Sequence, residues 1–308
     1  MRRHRLPGAA ALAIALAIAL AACGSGSAGS AAPSGSGGAP SVIPQIVSSQ
    51  QVVGANRFVF SFLDPKTNTP VATPDRTAAV AFVSPGEKQP GTAVAGTFTW
   101  GITGSVGVYV SNVTFPVAGD WTAVFITQAP DKPSEAIGVA FQVLDKGTTV
   151  GIGQKAPSSV TPTAADVNGD LGKISTDPTP AAVFYQLSVA QAEQQGRPFV
   201  LVFATPRFCQ SRQCGPTLDV VKSIAGTSPA NVAFIHVEPY KMTFTDGTLQ
   251  PVLDANNQLQ PTDVISQWGV VSEPWVFTVD AKGIIRGSFE GVVGNDELKT
   301  AIAVIAGS

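Results

Sequence analysis

This chain is poor in the residues that most catalytic and metal sites are built from. It has two histidines, two methionines and three cysteines in 308 residues, and one histidine sits in the first five positions. A single remaining imidazole, His236, leaves no room for a histidine-based nucleophilic triad unless that mid-strand residue serves in it. No run of cysteines and histidines has metal-ligand spacing, and no glycine-rich loop has the form that cradles a nucleotide phosphate. Charged residues make up only 13% of the chain and acids outnumber bases, so there is no basic footprint for nucleic acid. Beyond the N-terminal leader, no apolar run approaches the roughly 20 residues of a membrane-spanning helix.

What is present begins with an export pattern. "MRRHRLPGAAALAIALAIALAAC" places Arg2, Arg3 and Arg5 before an apolar stretch of signal-peptide length that ends in small residues. "LAAC" at 20–23 resembles the lipobox of bacterial lipoproteins. The resemblance implies cleavage before Cys23, lipidation of that cysteine, and a mature chain held on the extracytoplasmic face of a bacterial cell membrane. Loss of the leader removes three arginines and takes the formal net charge from −2 to about −5. An exported address permits disulfides, and with Cys23 lipidated, Cys209 and Cys214 have only each other.

Composition then divides the chain. Residues 1–22 read as the signal peptide and 23–46 as a Gly/Ser/Ala/Pro tether. Residues 47–146 alternate in short runs such as "RFVFSF", "GVYVSNVTF" and "WTAVFIT", punctuated by turn residues, as expected of six or seven strands in an all-β sandwich. "FPVAGDWTAVF" resembles the strand–turn–strand element of small exported immunoglobulin-like domains, with Trp121 as a core anchor. Residues 147–180 are rich in Gly, Pro, Thr and Asp and read as a linker or lead-in to the next unit. Residues 181–308 alternate helical and strand patterns. "PFVLVFAT" is a continuous apolar run of the kind buried on both faces of a sheet, "NVAFIHVEPY" is a second such strand, "PWVFTVDAKGIIRGSFEG" is a hairpin, and "PTLDVVKSIAG" and "NDELKTAIAVIAG" are helices. This order gives an α/β unit, a mixed sheet with helices on both faces.

The candidate site is "FCQSRQCGP", where Cys209 and Cys214 stand four residues apart between the "PFVLVFAT" strand and the following helix. A thiol at a helix N-terminus, with Arg207 and Arg212 nearby, is expected to ionise easily, which makes Cys214 the attacking sulfur. The alternative is a structural bridge of an exported protein, though so short a loop gains little from cross-linking. A third reading is copper held by Cys209, Cys214 and His236. His236 also reads as an ordinary half-buried strand residue, and Glu273 either as a general base or as a plain loop acid.

The cysteine-bearing strand–helix junction, "CGP" at the helix start and Pro274 opening the hairpin in "VSEPWVF" together resemble the thioredoxin-like superfamily, over about 125 residues. That resemblance implies a thioredoxin-like fold, with Pro274 as a cis-proline lying against the cysteines and presenting backbone to substrate. It implies thiol–disulfide exchange with exported protein thiols or disulfides, through Cys209 and Cys214 and without a cofactor. Thioredoxins carry C-x-x-C, whereas Thr217 stands here at the second cysteine's position. Peroxiredoxin spacing fails at Gln210 and Gln213. Sco-type copper proteins have C-x-x-x-C and a histidine before the hairpin, which "VSEPW" lacks. A non-enzymatic binding or assembly lipoprotein with a structural disulfide, or Sco-like copper handling, are the other functional expectations.

Overall fold

In the computed structural model, the described residues are 39–307. Cys23 and the leader lie outside them. The first part is built from β1 (Ile43–Ile46), β2 (Gln51–Val52), β3 (Gly54–Leu63), β4 (Thr77–Val83), β5 (Val94–Ala95), β6 (Thr97–Ile102), β7 (Val106–Phe115), β8 (Gly119–Gln128) and β9 (Glu135–Leu144). They make two sheets, ordered β1-β3-β7-β6 and β2-β9-β8-β4-β5. Period-two alternation sends Phe58, Phe60 and Phe62 of β3 to one side, where they meet Tyr109 and Phe115 of β7 and Trp121, Ala123 and Phe125 of β8 in one shared core. The Phe58 ring alone lies within 6.5 Å of the rings of Phe60, Phe82, Phe115, Phe125 and Phe141. Trp121 is buried there, its Nε1 donating to the Val117 carbonyl at 3.2 Å.

Strand β1 falls inside the stretch read as tether. "VIPQI" is short and carries Pro44, and it pairs with β3 at the outer edge of its sheet. An edge strand is where a residue without an N–H can sit.

The second part contains α1 (Val189–Gln194), β10 (Phe199–Phe203), α2 (Cys214–Ala225), β11 (Ala233–Val237), β12 (Met242–Thr245), β13 (Thr248–Pro251), α3 (Asp263–Gln267), β14 (Trp275–Val279), β15 (Ile285–Glu290) and α4 (Asn295–Ala306). Its four-stranded sheet runs β11-β10-β14-β15 and is mixed: β10 pairs parallel with β11 and antiparallel with β14. All five residues of β10 are buried because both faces are covered. Val200 and Val202 pack towards α2 and α4, while Phe199, Leu201 and Phe203 pack towards α1, α3 and Trp268. Strands β12 and β13 form a separate hairpin between β11 and α3, with Asp246 and Gly247 both at positive φ in its turn. Two consecutive positive-φ residues are what a tight hairpin turn needs, and Asp-Gly supplies them.

Residues 147–180, read as a linker or lead-in, pack against this second part. Ala156 joins the core on the α1/α3 side, and Leu171 and Ile174 lie against the core on the α2/α4 side. The polar character that suggested a linker serves buried hydrogen bonds instead: Ser159 Oγ donates to Gln267 Oε1 and accepts from Trp268 Nε1. The two parts also touch directly. The Arg57 guanidinium forms two hydrogen bonds to the Glu297 carboxylate, at 2.6 and 2.8 Å, and one to the Val292 carbonyl. Val292 itself is buried among Val59, Val108 and Val110.

Candidate functional site

Strand β10 delivers the chain to a loop, Ala204–Gln213, that turns back on itself before α2. Phe208 N–H bonds the Thr205 carbonyl, Arg212 N–H bonds the Cys209 carbonyl, and Arg212 has a φ of 61°. The loop has a job at the helix start. The first backbone N–H groups of a helix lack intrahelical acceptors, and Gln213, which precedes α2, makes no side-chain cap. Cys209 and Ser211 take that place: Cys214 N–H points at Cys209 Sγ, 3.2 Å away, and Gln213 N–H at Ser211 Oγ, 3.3 Å away. Ser211 Oγ is also 3.3 Å from Cys209 Sγ.

Both cysteines are free, but they occupy different environments. Cys214 is fully buried in the core formed with Leu218, Val202 and Val276, while Cys209 is half-buried. Hydrogen bonding from the Cys214 thiol, then from Ser211 and the backbone N–H groups of Cys214 and Gln213, outweighs burial and brings the Cys209 thiol down to about 5. The same neighbour and its own burial push Cys214 far up. Sequence points to Cys214 as the ionised, attacking sulfur; the geometry favours Cys209, which is half-buried and receives the Cys214 N–H, while Cys214 is fully buried. The helix start does stabilise a thiolate, but the N–H groups point outward to the preceding loop, so the residue that benefits is Cys209. The side chain of Cys214 turns into the core instead. Arg207, expected to assist, lays its guanidinium over the ring of Phe208 at 5.7 Å.

The third member of the site is Glu273, at the entry to β14. Its carboxylate and the two sulfur atoms all lie within 4.8 Å of one another. The Glu273–Pro274 peptide is cis. Tyr240 donates to Glu273 Oε2 at 2.5 Å, and burial raises the Glu273 carboxyl above its ordinary range. Tyr240 is a site residue that sequence reasoning missed; a lone tyrosine after "HVEP" carries no local signal.

Other expected residues go elsewhere. His236 does not join the cysteines: its Nδ1 is 2.6 Å from the Tyr185 hydroxyl and its Nε2 is 2.9 Å from the Ala204 carbonyl, so both ring nitrogens are engaged in the core. The copper ligand set that included His236 is therefore not assembled. Thr217 Oγ1 donates to the Gly291 carbonyl at 2.9 Å, a structural link from α2 to the turn after β15. Trp275 stacks on Phe277 in the core and bonds Ser288, and Trp268 is fully buried.

Glu238, also missed, is a buried acid just beyond β11. Its Oε1 accepts from Thr176 N–H and Oγ1, while Oε2 has no hydrogen-bond partner. Burial raises its pKa. A cleft of about 810 Å³ opens beside the cysteine loop, walled by Thr176, Asp177, Arg207, Gly215, Leu218 and Thr248.

Chemically, the arrangement pairs a half-buried sulfur whose pKa its hydrogen bonds lower with a buried thiol and a carboxyl group of raised proton affinity. No protein family, curated protein or solved structure matches this chain.

Proposed function

We propose that the chain is a thioredoxin-like, extracytoplasmic lipoprotein that carries out thiol–disulfide exchange on exported proteins through Cys209 and Cys214. In this reading the second part has a thioredoxin-like fold, the paired sheets before it are an immunoglobulin-like sandwich, and lipid on Cys23 tethers both to the bacterial cell membrane. The observation that carries the reaction is the hydrogen bond from Cys214 N–H to Cys209 Sγ at the start of α2, with a buried second thiol beside it.

The steps follow from the two environments. The Cys209 thiolate attacks one sulfur of a substrate disulfide, forming a mixed disulfide and releasing the first substrate sulfur as a thiolate, which takes a proton from solvent. Cys214 then passes its proton to the Glu273 carboxylate, whose raised pKa suits a proton acceptor. Its sulfur attacks Cys209 Sγ, the Cys209–Cys214 disulfide forms, and the second substrate sulfur leaves with the proton. Two electrons pass from the pair to the substrate, and the reverse sequence oxidises a substrate dithiol. Burial of Cys214 keeps a protein substrate from reaching it directly.

The test is the reduction potential of the pair, measured by equilibration with dithiol buffers. Exchange chemistry requires a value above the roughly −300 mV typical of structural bridges. A Cys209–Cys214 bond that resists reduction until the protein unfolds would sink the reading.

A further inference from the structure

The site that would exchange disulfides also has the donors of a metal site. Among the described residues, Cys209, Cys214 and Glu273 are the one group of three His, Cys, Asp or Glu side chains whose ligand atoms come together in this way, all within 4.8 Å. We propose that the reduced pair and Glu273 bind a zinc ion as a two-thiolate, one-carboxylate site with an open fourth position.

Three arguments carry this. The first is geometry. Zinc–sulfur bonds of about 2.3 Å and zinc–oxygen bonds of about 2.1 Å, arranged tetrahedrally, put neighbouring donors about 3.6 to 3.8 Å apart. The present donor atoms, all within 4.8 Å of one another, reach that spacing by closing no more than about 1 Å. The second is orientation. Each donor is already held from behind: Cys209 by Cys214 N–H and Ser211, Cys214 by its place on α2, and Glu273 by the Tyr240 hydroxyl. Metal-binding carboxylates are commonly fixed by such an outer hydrogen bond.

The third is donor chemistry. Copper(I) sites draw on thiolate, thioether and imidazole, and zinc accepts thiolate and carboxylate together. His236 has both nitrogens engaged, and Met242 lies on the separate β12–β13 hairpin. The set that remains, two sulfurs and one carboxylate oxygen, suits zinc.

Loading displaces the thiol proton that the reduced pair still carries, which goes to buffer as both sulfurs bind the metal. An oxidised pair has no thiolates to offer, so zinc would bind the reduced state alone and shield it from oxidation. The inference concerns the reduced pair whatever its substrate, and so stands apart from the exchange reading.

The test is competition between the reduced, chelator-treated mature protein and a chromophoric zinc chelator under anaerobic conditions. One zinc per chain is expected, with none bound by the oxidised protein or by Cys209→Ser and Cys214→Ser. Glu273→Gln should weaken binding more than about tenfold, the lower end of what even an outer partner costs a metal site. Cobalt(II) added to the reduced wild type should show thiolate-to-metal charge-transfer absorption, a readout that needs no variant to fold. Failure of the reduced wild type to take up zinc, a cobalt spectrum without thiolate bands, or unchanged affinity in Glu273→Gln would each overturn the proposal. Exchange kinetics run with chelator present decide the redox reading separately.

Discussion

The paired sheets around Phe58 and the mixed sheet around Leu201 both exclude water, but they hide different groups. In the first part the buried polar side chains are Gln51, Ser61, Ser111 and Thr127, and no acid, histidine or cysteine is buried among the described residues. In the second part Cys214, His236, Glu238 and Asp280 are all buried. An apolar interior shifts a proton affinity only where it meets a titratable group. The first part buries one such group, Tyr109, whose proton affinity burial raises, while the second buries a thiol, an imidazole and two carboxylates. Within the second part the half-buried Cys209, which receives the Cys214 N–H at the start of α2, is the more accessible of the two cysteines.

The sharpest way to test the contrast is to remove that thiol. Cys209→Ser should reduce exchange to background, because no sulfur remains that substrate can reach. Cys214→Ser should still form the mixed disulfide but fail to resolve it, so that the adduct accumulates and is seen by mass spectrometry. Cys214→Ala removes the chief hydrogen bond that holds the Cys209 thiolate, whereas a serine hydroxyl could still donate there. Alkylation of wild-type Cys209 should lose half its rate as pH falls through about 5, since protonation removes the nucleophile. In Cys214→Ala that midpoint should move up towards the ordinary thiol value. Accumulation of adduct on Cys214 in the Cys209→Ser protein would instead restore the order expected from sequence.

The first part can be perturbed instead. Phe58→Ala deletes a ring in contact with five others and should cost about 3–5 kcal/mol of stability in chemical unfolding. The alkylation midpoint of Cys209 should stay near 5 in the folded variant. A shifted midpoint would mean that the Arg57–Glu297 and Val292 contacts transmit more than position.

Some of this contrast was legible in the residues. The alternation of "RFVFSF" and the unbroken "PFVLVF" follow from one-sided and two-sided burial, and each run forms the strand its period implied. The β12–β13 hairpin was missed although "TDGT" carries its turn signal, because its strands are short and mostly exposed. How closely 147–180 packs on the second part was not legible, because serine and threonine hydroxyls look the same in sequence whether water or a buried neighbour satisfies them. At the site, the cysteines stood out by rarity, but their order of reactivity depends on where one N–H points. Tyr240 reaches Glu273 only through tertiary structure, so nothing local marks it.

A smaller effect separates the two steps within the second part. Glu273→Gln removes the acceptor for the Cys214 proton and should slow release of the mixed disulfide by about 10²-fold at neutral pH. The first attack by Cys209, followed by stopped-flow mixing, should change far less. Equal slowing of both steps would make Glu273 a positioning residue for the pair as a whole.

The smallest expected effect concerns Thr217, which stands where the resemblance to thioredoxins would place a second cysteine. Its hydroxyl is spent on the Gly291 carbonyl, tying the first turn of α2 to the end of β15. Thr217→Val keeps the shape and removes that bond, so unfolding should become easier by about 1 kcal/mol. Exchange through Cys209 should be untouched, because the hydroxyl contacts neither sulfur among its hydrogen bonds. Loss of exchange without loss of stability would give Thr217 a part in the reaction and shift the site towards the C-x-x-C arrangement it otherwise departs from.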